Sequence, residues 1–402
     1  MRVLCTTLGS PSHGRAQLPL LRALARAGHQ VLVVTTEALV PVFRDDDVQV
    51  TAALPEFDPL AAMGPYLAEL GDTPDLTEPT DALARLLMRN VAGPGIKPHL
   101  DVLLPLAREF GPDVILRDGM DMGAVLTAEL LGVPQLPTPS GFSNVLDPAE
   151  VLPQLNERRE ELGLPVRDDP LSLVPHGRVD YAPPAFSFAR HLPRTWAYRQ
   201  TVDVEHGTVL PEWAAALPTD RPLVYAAIGT ALPKMRARME DGQTPLPVKL
   251  PDARESLGAI VRAAAELDDC TVVVSTSGLA VDTEGLPGHV RVAERVPQPL
   301  LLEAVDLFIT HGGFNSIREA MRTGTPLAVL PHFGDQPANA ERVEELGLGR
   351  RIADRSAAGI AEVCRKLLAD PGPRARARAA QLAMLTLPDV EQAVDDLAGL
   401  TG

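Results

Sequence analysis

A chain of 402 residues is long enough for two domains, and its 45% hydrophobic and 22% charged residues are the proportions of a globular protein. The formal net charge of −16 argues against nucleic acid or an anionic membrane as a partner. No apolar run reaches eighteen residues, so we predict no membrane span. The cysteines lack metal-ligand spacing and obvious partners, so we predict a cytoplasmic protein without a metal site.

The N-terminal residues follow a strand–loop–helix–strand pattern typical of a nucleotide-binding fold. The predicted elements are a strand over Arg2–Leu8, a loop over Gly9–Gly14, a helix over Ala16–Ala27 and a strand over Gln30–Thr36. This is not a dinucleotide fingerprint, because Gly9 and Gly14 are too far apart and Pro11 intrudes. His13 precedes the helix, whose N-terminus disfavours an imidazolium ion. It is therefore either a neutral base or a cap for its own helix.

Carboxylates in the first half of the chain have to be weighed as functional groups. Arg44–Asp47 contains three aspartates, but it follows a helix-like segment rather than a strand. We therefore interpret it as a solvated surface turn and not as a metal-binding Asp-x-Asp pair. Asp118 follows the predicted strand Pro112–Arg117, and Asp121 precedes the predicted helix Met122–Leu131. By themselves these aspartates could be helix caps or surface carboxylates.

The second half of the chain repeats the alternation of strands and helices. Strands are predicted over Leu223–Ile228, Thr271–Ser275 and Val290–Ala293, with a helix over Ser256–Leu267. The charged, Pro-containing segment Leu232–Pro251 interrupts this order. It is either a mobile lid or, as we prefer, a surface loop.

Residues 306–343 form two successive strand–loop–helix units, with glycines where the backbone must approach a ligand. The strand Val305–Thr310 is followed by the turn His311-Gly312-Gly313. Asn315 or Ser316 is then expected to cap a helix that ends before Gly324. The second unit is a strand over Leu327–Leu330 and a helix that opens at Pro337.

The chemistry of this stretch is that of an anion site. Gly312 and Gly313 let backbone N–H groups face outward, and the helix start adds unpaired donors and the positive end of its dipole. Glu319 lies one turn beyond Asn315, where a carboxylate would repel phosphate but accept a hydrogen bond from a ribose hydroxyl. Asp335 follows the next strand and could reach a hydroxylated group beyond the phosphates. The stretch therefore offers places for diphosphate, ribose and sugar.

The signature His311-Gly-Gly-x-Asn315-Ser316-x-x-Glu319-Ala, with Gly324-x-Pro326 and Asp335-Gln336-x-x-Asn339-Ala, resembles the donor site of the UDP-glycosyltransferase-like family, glycosyltransferase family 1. The resemblance is closest to its bacterial natural-product branch. It implies an α/β protein of GT-B fold, with two Rossmann-like domains facing across a cleft. The implied domains are residues 1–210 for the acceptor, 211–385 for the nucleotide sugar, and a helix over 386–402 that crosses back.

The resemblance also implies roles for individual residues. His13 matches the family's catalytic base, and Asp118 matches the carboxylate that orients the base, with Asp121 as its rival. Plant members have a base-stacking aromatic at Arg295, so the base identity stays open. The implied donor-binding residues are Thr230, Arg295, Val296, Gln298, His311, Gly312, Gly313, Asn315, Ser316, Glu319, Asp335 and Gln336. The candidate acceptor contacts, which could equally be ordinary core, are Met63, Tyr66, Met88 and Phe142.

The implied reaction is inverting, metal-independent transfer of a deoxysugar from a nucleoside diphosphate sugar, TDP-linked by analogy, to a hydroxyl of a lipophilic natural product. No cofactor is expected besides this donor substrate, and a homodimer is left open. One alternative is a GT-B nucleotide-sugar epimerase, which would release sugar or epimer without an acceptor. Another is a non-catalytic auxiliary subunit, against which the presence of both His13 and Asp118 counts.

Overall fold

A computed structural model describes residues 1–56, 91–191, 194–199, 208–230, 232 and 251–401. These described residues fall into two compact units, one made of those between 1 and 199 together with 386–401, and the other of those between 208 and 385. The predicted acceptor contacts Met63, Tyr66 and Met88 and the segment 233–250 lie outside the described residues, as does the side chain of Phe142. Among the described helices, none combines the length and apolar character needed to cross a bilayer.

The first unit is built on a parallel sheet whose described strands have the order β3-β2-β1-β4-β5. Residues of β1 alternate between two buried faces, so that Val3 and Cys5 pack on one side and Leu4 on the other. This is why the strand has a nearly continuous apolar sequence. The strands are β1 Arg2–Thr7, β2 Gln30–Thr35, β3 Gln49–Ala52, β4 Val114–Arg117 and β5 Gln135–Pro137. A separate pair is formed by β6 Arg178–Asp180 and β7 Thr195–Ala197.

Helices cover this sheet on both faces. Leu20 and Leu24 of the first helix pack on the face of Val3, together with Ala393 and Leu397 from the C-terminal helix. The helices of this unit are α1 Pro11–Arg26, α2 Lys97–Phe110, α3 Met122–Leu131, α4 Gly141–Val145, α5 Pro148–Glu161 and, at the C-terminus, α12 Gln392–Ala398. The end of the chain therefore belongs to the first unit.

The second unit is another parallel sheet, with its described strands in the order β10-β9-β8-β11-β12-β13. Its strands are β8 Leu223–Ala227, β9 Thr271–Ser275, β10 Val290–Ala293, β11 Leu307–Thr310, β12 Leu327–Val329 and β13 Gly349–Arg351. Its helices are α6 Ala253–Ala265, α7 Gln298–Leu301, α8 Phe314–Thr323, α9 Gln336–Glu345, α10 Ala357–Ala369 and α11 Pro371–Leu385. Leu257 of α6 and Ile360 of α10 pack with Val224 and Ile309 of the central strands.

Three helices begin earlier in the structure than the sequence predicts. α1 begins at Pro11, so His13 lies in its first turn and not in a loop, since a proline is well suited to the first helical position. α8 begins at Phe314 with Gly313 at the N-cap position, and neither Asn315 nor Ser316 caps it. α9 begins at Gln336, with Asp335 at the N-cap. Each shift places a predicted site residue inside the first turn of a helix.

The acidic cluster Arg44–Asp47 is only partly the solvated turn that the sequence predicts. Arg44, Asp45 and Asp47 are exposed, but the Asp46 side chain is 6% exposed and accepts hydrogen bonds from the guanidinium of Arg22 on α1. Asp46 therefore holds the turn against the helix.

Candidate active site

A histidine–aspartate pair lies at the carboxyl edge of the first sheet. His13 Nδ1 is 2.8 Å from Asp118 Oδ2, with side-chain exposures of 20% and 1%. Asp118 Oδ1 accepts from the backbone N–H of Met120 at 3.1 Å, and the Asp118 N–H donates to the Thr6 carbonyl at 3.1 Å. The carboxylate is therefore fixed at both oxygens and through its own backbone.

Asp118 carries a negative charge although it is buried. Burial alone would raise the pKa of its carboxyl, but the nearby His13 and the N–H group of Met120 outweigh this effect and hold the pKa below its ordinary value. A buried carboxylate against one ring nitrogen selects which nitrogen carries the proton. The pair therefore has the charge and geometry to stabilise an imidazolium ion at His13.

Asp121, the rival carboxylate, has a different position. Its Oδ1 caps α3 by accepting from the N–H of Ala124 at 2.9 Å, and its Oδ2 lies 3.5 Å from His99 Nε2. Sequence spacing does not separate the two aspartates, but the structure brings Asp118 to His13 and Asp121 to His99.

A buried arginine, which the sequence pattern did not mark as functional, supports the turn after β4. The Arg117 guanidinium donates to the carbonyls of Asp118 at 3.2 Å and Gly119 at 3.1 Å, to Leu173 O at 3.1 Å and to Gln135 Oε1 at 2.7 Å. Burial lowers its pKa to about 10, opposed by Asp121 and Asp118, so it stays charged at neutral pH. The sequence signal that could have identified Arg117 is a charged residue at the end of an apolar strand, directly before Asp118.

In the second unit, the imidazole of His311 is held between glycines. A Cβ on Gly229 would lie 2.6 Å from His311 Cε1, and one on Gly313 would lie 2.4 Å from His311 Nε2. Gly229 also has a φ of 69°, which a side chain rarely adopts. Thr230, the next residue and three positions beyond β8, is exposed. The structure thus brings together Gly229, which precedes Thr230, and His311 and Gly313.

The imidazole of His311 is neutral at physiological pH. Burial lowers its pKa to about 4, partly offset by an interaction with the backbone of Ala227. It can therefore offer a neutral N–H donor to an anion, and the helix start offers backbone donors beside it. Gly312, at a φ of 85°, packs against Val329, and a Cβ there would lie 2.7 Å from Val329 Cγ1.

Gln298 connects two of the predicted donor-binding segments. Its Nε2 donates to Glu319 Oε2 at 2.6 Å and to Ser316 Oγ at 3.1 Å. Ser316 and Glu319 therefore share one face of α8, one turn apart. Arg295 is exposed and Val296 is half-buried just before α7.

The remaining predicted donor contacts are engaged within the protein. Asn315 Oδ1 accepts from the guanidinium of Arg318. Asn339 Nδ2 donates to Asp335 Oδ2 at 2.7 Å and to the carbonyl oxygen of Gly312 at 3.0 Å. Gln336 is 4% exposed, and its Oε1 accepts from the N–H groups of residues 332 and 333. The amide oxygen of Gln336 thus closes its own loop, which the sequence pattern did not predict.

No cluster of three or more His, Cys, Asp or Glu side chains in the described part of the chain could hold a metal ion. The cysteines Cys5, Cys270 and Cys364 are free and buried.

Comparisons with known proteins agree over nearly the whole chain. The sequence model described as "Erythromycin biosynthesis protein CIII-like, N-terminal domain" matches residues 22–229, and its C-terminal counterpart matches residues 258–400. The chain is 29% identical over 386 residues to the L-demethylnoviosyl transferase of Streptomyces niveus, covering 94% of this chain and 92% of that one. It is 26% identical over 439 residues to the TDP-daunosamine transferase DnrS of Streptomyces peucetius, covering 100% and 97%.

The fold is also that of a solved GT-B enzyme. Spinosyn rhamnosyltransferase SpnG, solved with thymidine diphosphate, matches with a TM-score of 0.75 at 24% identity, over 99% of this chain and 100% of that one. The same enzyme has been solved with spinosyn aglycone. The predicted fold class is confirmed, and residues 22–229 are more than half of the 402-residue chain. The chain therefore belongs to the erythromycin biosynthesis protein CIII-like family of glycosyltransferases.

Proposed function

We propose that this glycosyltransferase moves a deoxysugar from a TDP-sugar to a hydroxyl of a lipophilic natural product, with inversion and without a metal ion. The observation that carries the proposal is the 2.8 Å contact between His13 and the buried Asp118. The TDP-daunosamine transferase relative supports the donor, and the spinosyn aglycone complex supports the acceptor class. On this proposal the first unit binds the acceptor and the second binds the donor.

The reaction follows from the charges of the two sites. His13 Nε2 takes the proton of the acceptor hydroxyl as that oxygen attacks the anomeric carbon, while Asp118 stabilises the imidazolium ion that forms. The bond between the anomeric carbon and the diphosphate oxygen breaks at the same time, and the diphosphate leaves with the electron pair. Neutral His311, Ser316, Thr230 and the N–H groups at the start of α8 are proposed to stabilise its charge.

A single base implies a single in-line displacement, so we expect an α-linked donor to give a β-linked product. The test is to compare the anomeric coupling constants of donor and product by NMR, with EDTA in excess throughout. Retention would require a carboxylate nucleophile and would remove His13 from its role. Loss of turnover in EDTA that Mg²⁺ restores would contradict a metal-free reaction. Release of free sugar or epimer without an acceptor would instead favour the epimerase.

Glu319→Ala is expected to weaken TDP binding by about 1–3 kcal/mol, the usual worth of a hydrogen bond to a charged group. The carboxylate faces Gln298 at 2.6 Å and is proposed to accept from the ribose when nucleotide binds. Calorimetric titration of TDP and UDP measures the effect, with Glu303→Ala as a control that loses only a surface contact with Arg322. If the Glu319 variant binds TDP with wild-type affinity, Glu319 does not contact the ribose and is only a residue of the helix surface.

A further inference from the structure

Gln17 is a buried amide one helical turn after His13 and on the same face of α1. It is 1% exposed, and both ends of its amide are bonded. Nε2 donates to the Thr6 carbonyl at 3.1 Å and to Thr138 Oγ1 at 2.8 Å, while Oε1 accepts from the hydroxyl of Thr7 and from Cys5 Sγ at 3.3 Å.

The partners fix the orientation of this amide. A carbonyl can only accept, so the atom that faces Thr6 O must be the nitrogen. Thr138 Oγ1 gives its own proton to the Arg117 carbonyl at 2.9 Å, so it accepts from Gln17. Every hydrogen-bonding group of the amide therefore has a suitable partner, which a buried amide requires.

Two of these partners, Thr6 and Thr138, are bonded to the backbone at or next to Asp118. The Thr6 carbonyl accepts from Gln17 Nε2 and from the backbone N–H of Asp118. Thr138 connects the same nitrogen to the carbonyl of Arg117, the residue before Asp118. One side chain on the helix of His13 is thus bonded directly to the carbonyl that accepts from the Asp118 N–H and, through Thr138, to the carbonyl of the residue before Asp118.

The helical bonds near the start of α1 are incomplete. Pro19 lacks the N–H that would donate to the carbonyl of Arg15, so the first turns are joined less firmly to the rest of the helix. Ser10 at the N-cap makes no side-chain capping bond. The start of α1 thus lacks a side-chain cap, and one backbone bond is missing a turn further along the helix.

We propose that Gln17 is a positioning residue that sets the distance between His13 and Asp118. This inference rests on the proposed role of His13 as the base. Gln17 touches neither substrate, and it acts through the geometry of the pair.

The test begins with Gln17→Leu, which we expect to lower kcat by about 10- to 100-fold, the effect of a misplacement of about 1 Å at a reacting group. TDP affinity is expected to stay at the wild-type value, because the donor residues lie in the other unit. Thr127→Val is the matched control: it removes a buried hydroxyl whose bond to Gly123 O stays within α3, and should leave kcat unchanged. If Gln17→Leu does not fold, Thr138→Val removes the hydroxyl that links Gln17 to the Arg117 carbonyl and leaves the backbone bond between Thr138 N and Arg117 O, so it should lower kcat by a smaller factor.

A kinetic double-mutant cycle with Asp118→Asn separates positioning from general structural damage. If Gln17 acts through the His13–Asp118 contact, the double variant loses less kcat than the product of the two single losses. Losses that multiply, a parallel fall in TDP affinity, or wild-type kcat in both Gln17→Leu and Thr138→Val would overturn the inference. His13→Ala is measured alongside: if it keeps normal turnover, the proposed base is wrong, whereas its loss of turnover beside an active Gln17→Leu refutes the positioning role alone.

Discussion

Replacing His13 by alanine is expected to lower kcat by at least about 100-fold, the lower range of what a general base contributes. The acceptor hydroxyl would have to lose its proton to water, while the buried charge of Asp118 would remain without the imidazole that lowers its pKa. TDP should still bind, because the residues proposed to contact it belong to the second unit. Single-turnover kinetics with saturating donor measures the chemical step, and calorimetry measures TDP binding.

His99→Ala is the control for removing a buried imidazole. His99 also faces an aspartate, Asp121 at 3.5 Å, and is almost completely buried, but the proposed mechanism gives it no chemical role. The His99→Ala variant should have a lower free energy of unfolding, but its kcat per folded enzyme should not fall comparably. Asp118→Asn should lower kcat by a smaller factor than His13→Ala, since Asp118 orients the base rather than taking the proton. Normal turnover of His13→Ala would end its assignment as the base.

The sequence predicted the strands and helices where burial alone decides them. The strand β9, which is buried at every residue, and the helix Met122–Leu131, which is largely buried, have the predicted limits, because elements covered by the core need nearly uninterrupted apolar residues. The strand β10 also has its predicted limits, although Arg291 is exposed. Helix starts were less predictable. Gly313 takes the N-cap position in place of Asn315 or Ser316, and a Cβ there would lie 2.4 Å from His311 Nε2, a packing constraint that residue preferences for helix caps do not include.

The parts of the site that were missed depend on contacts between distant segments. Gln17 meets Thr138 across 121 positions, and Arg117 meets Leu173 across 56. Such contacts follow from the order and register of parallel strands, which hydrophobic periodicity does not specify. Asp118 and Asp121 illustrate the same limit: both follow β4, and only the packing of α1 and α2 determines which histidine each one faces.

Gly313→Ala is expected to weaken TDP binding by about 10- to 100-fold. The added Cβ would lie 2.4 Å from His311 Nε2, and the ring cannot swing toward Gly229, where the available space is already filled. Overpacking of this kind costs about 1–3 kcal/mol, and the strain is relieved by moving the imidazole or the start of α8, both proposed to hold the diphosphate. Gly313 has a φ of −63°, which alanine adopts readily, so backbone strain does not contribute.

Gly288→Ala provides the comparison, because a Cβ there meets nothing within 4 Å and should leave TDP affinity unchanged. Titration of both variants with TDP, together with their unfolding temperatures, distinguishes a local effect on the anion site from a loss of stability. Gly229→Ala would be less informative, since its φ of 69° adds backbone strain to the same clash with His311. If Gly313→Ala binds TDP like the wild type, the loop of His311 does not hold the diphosphate, and the proposed donor site has to be sought elsewhere in the second unit.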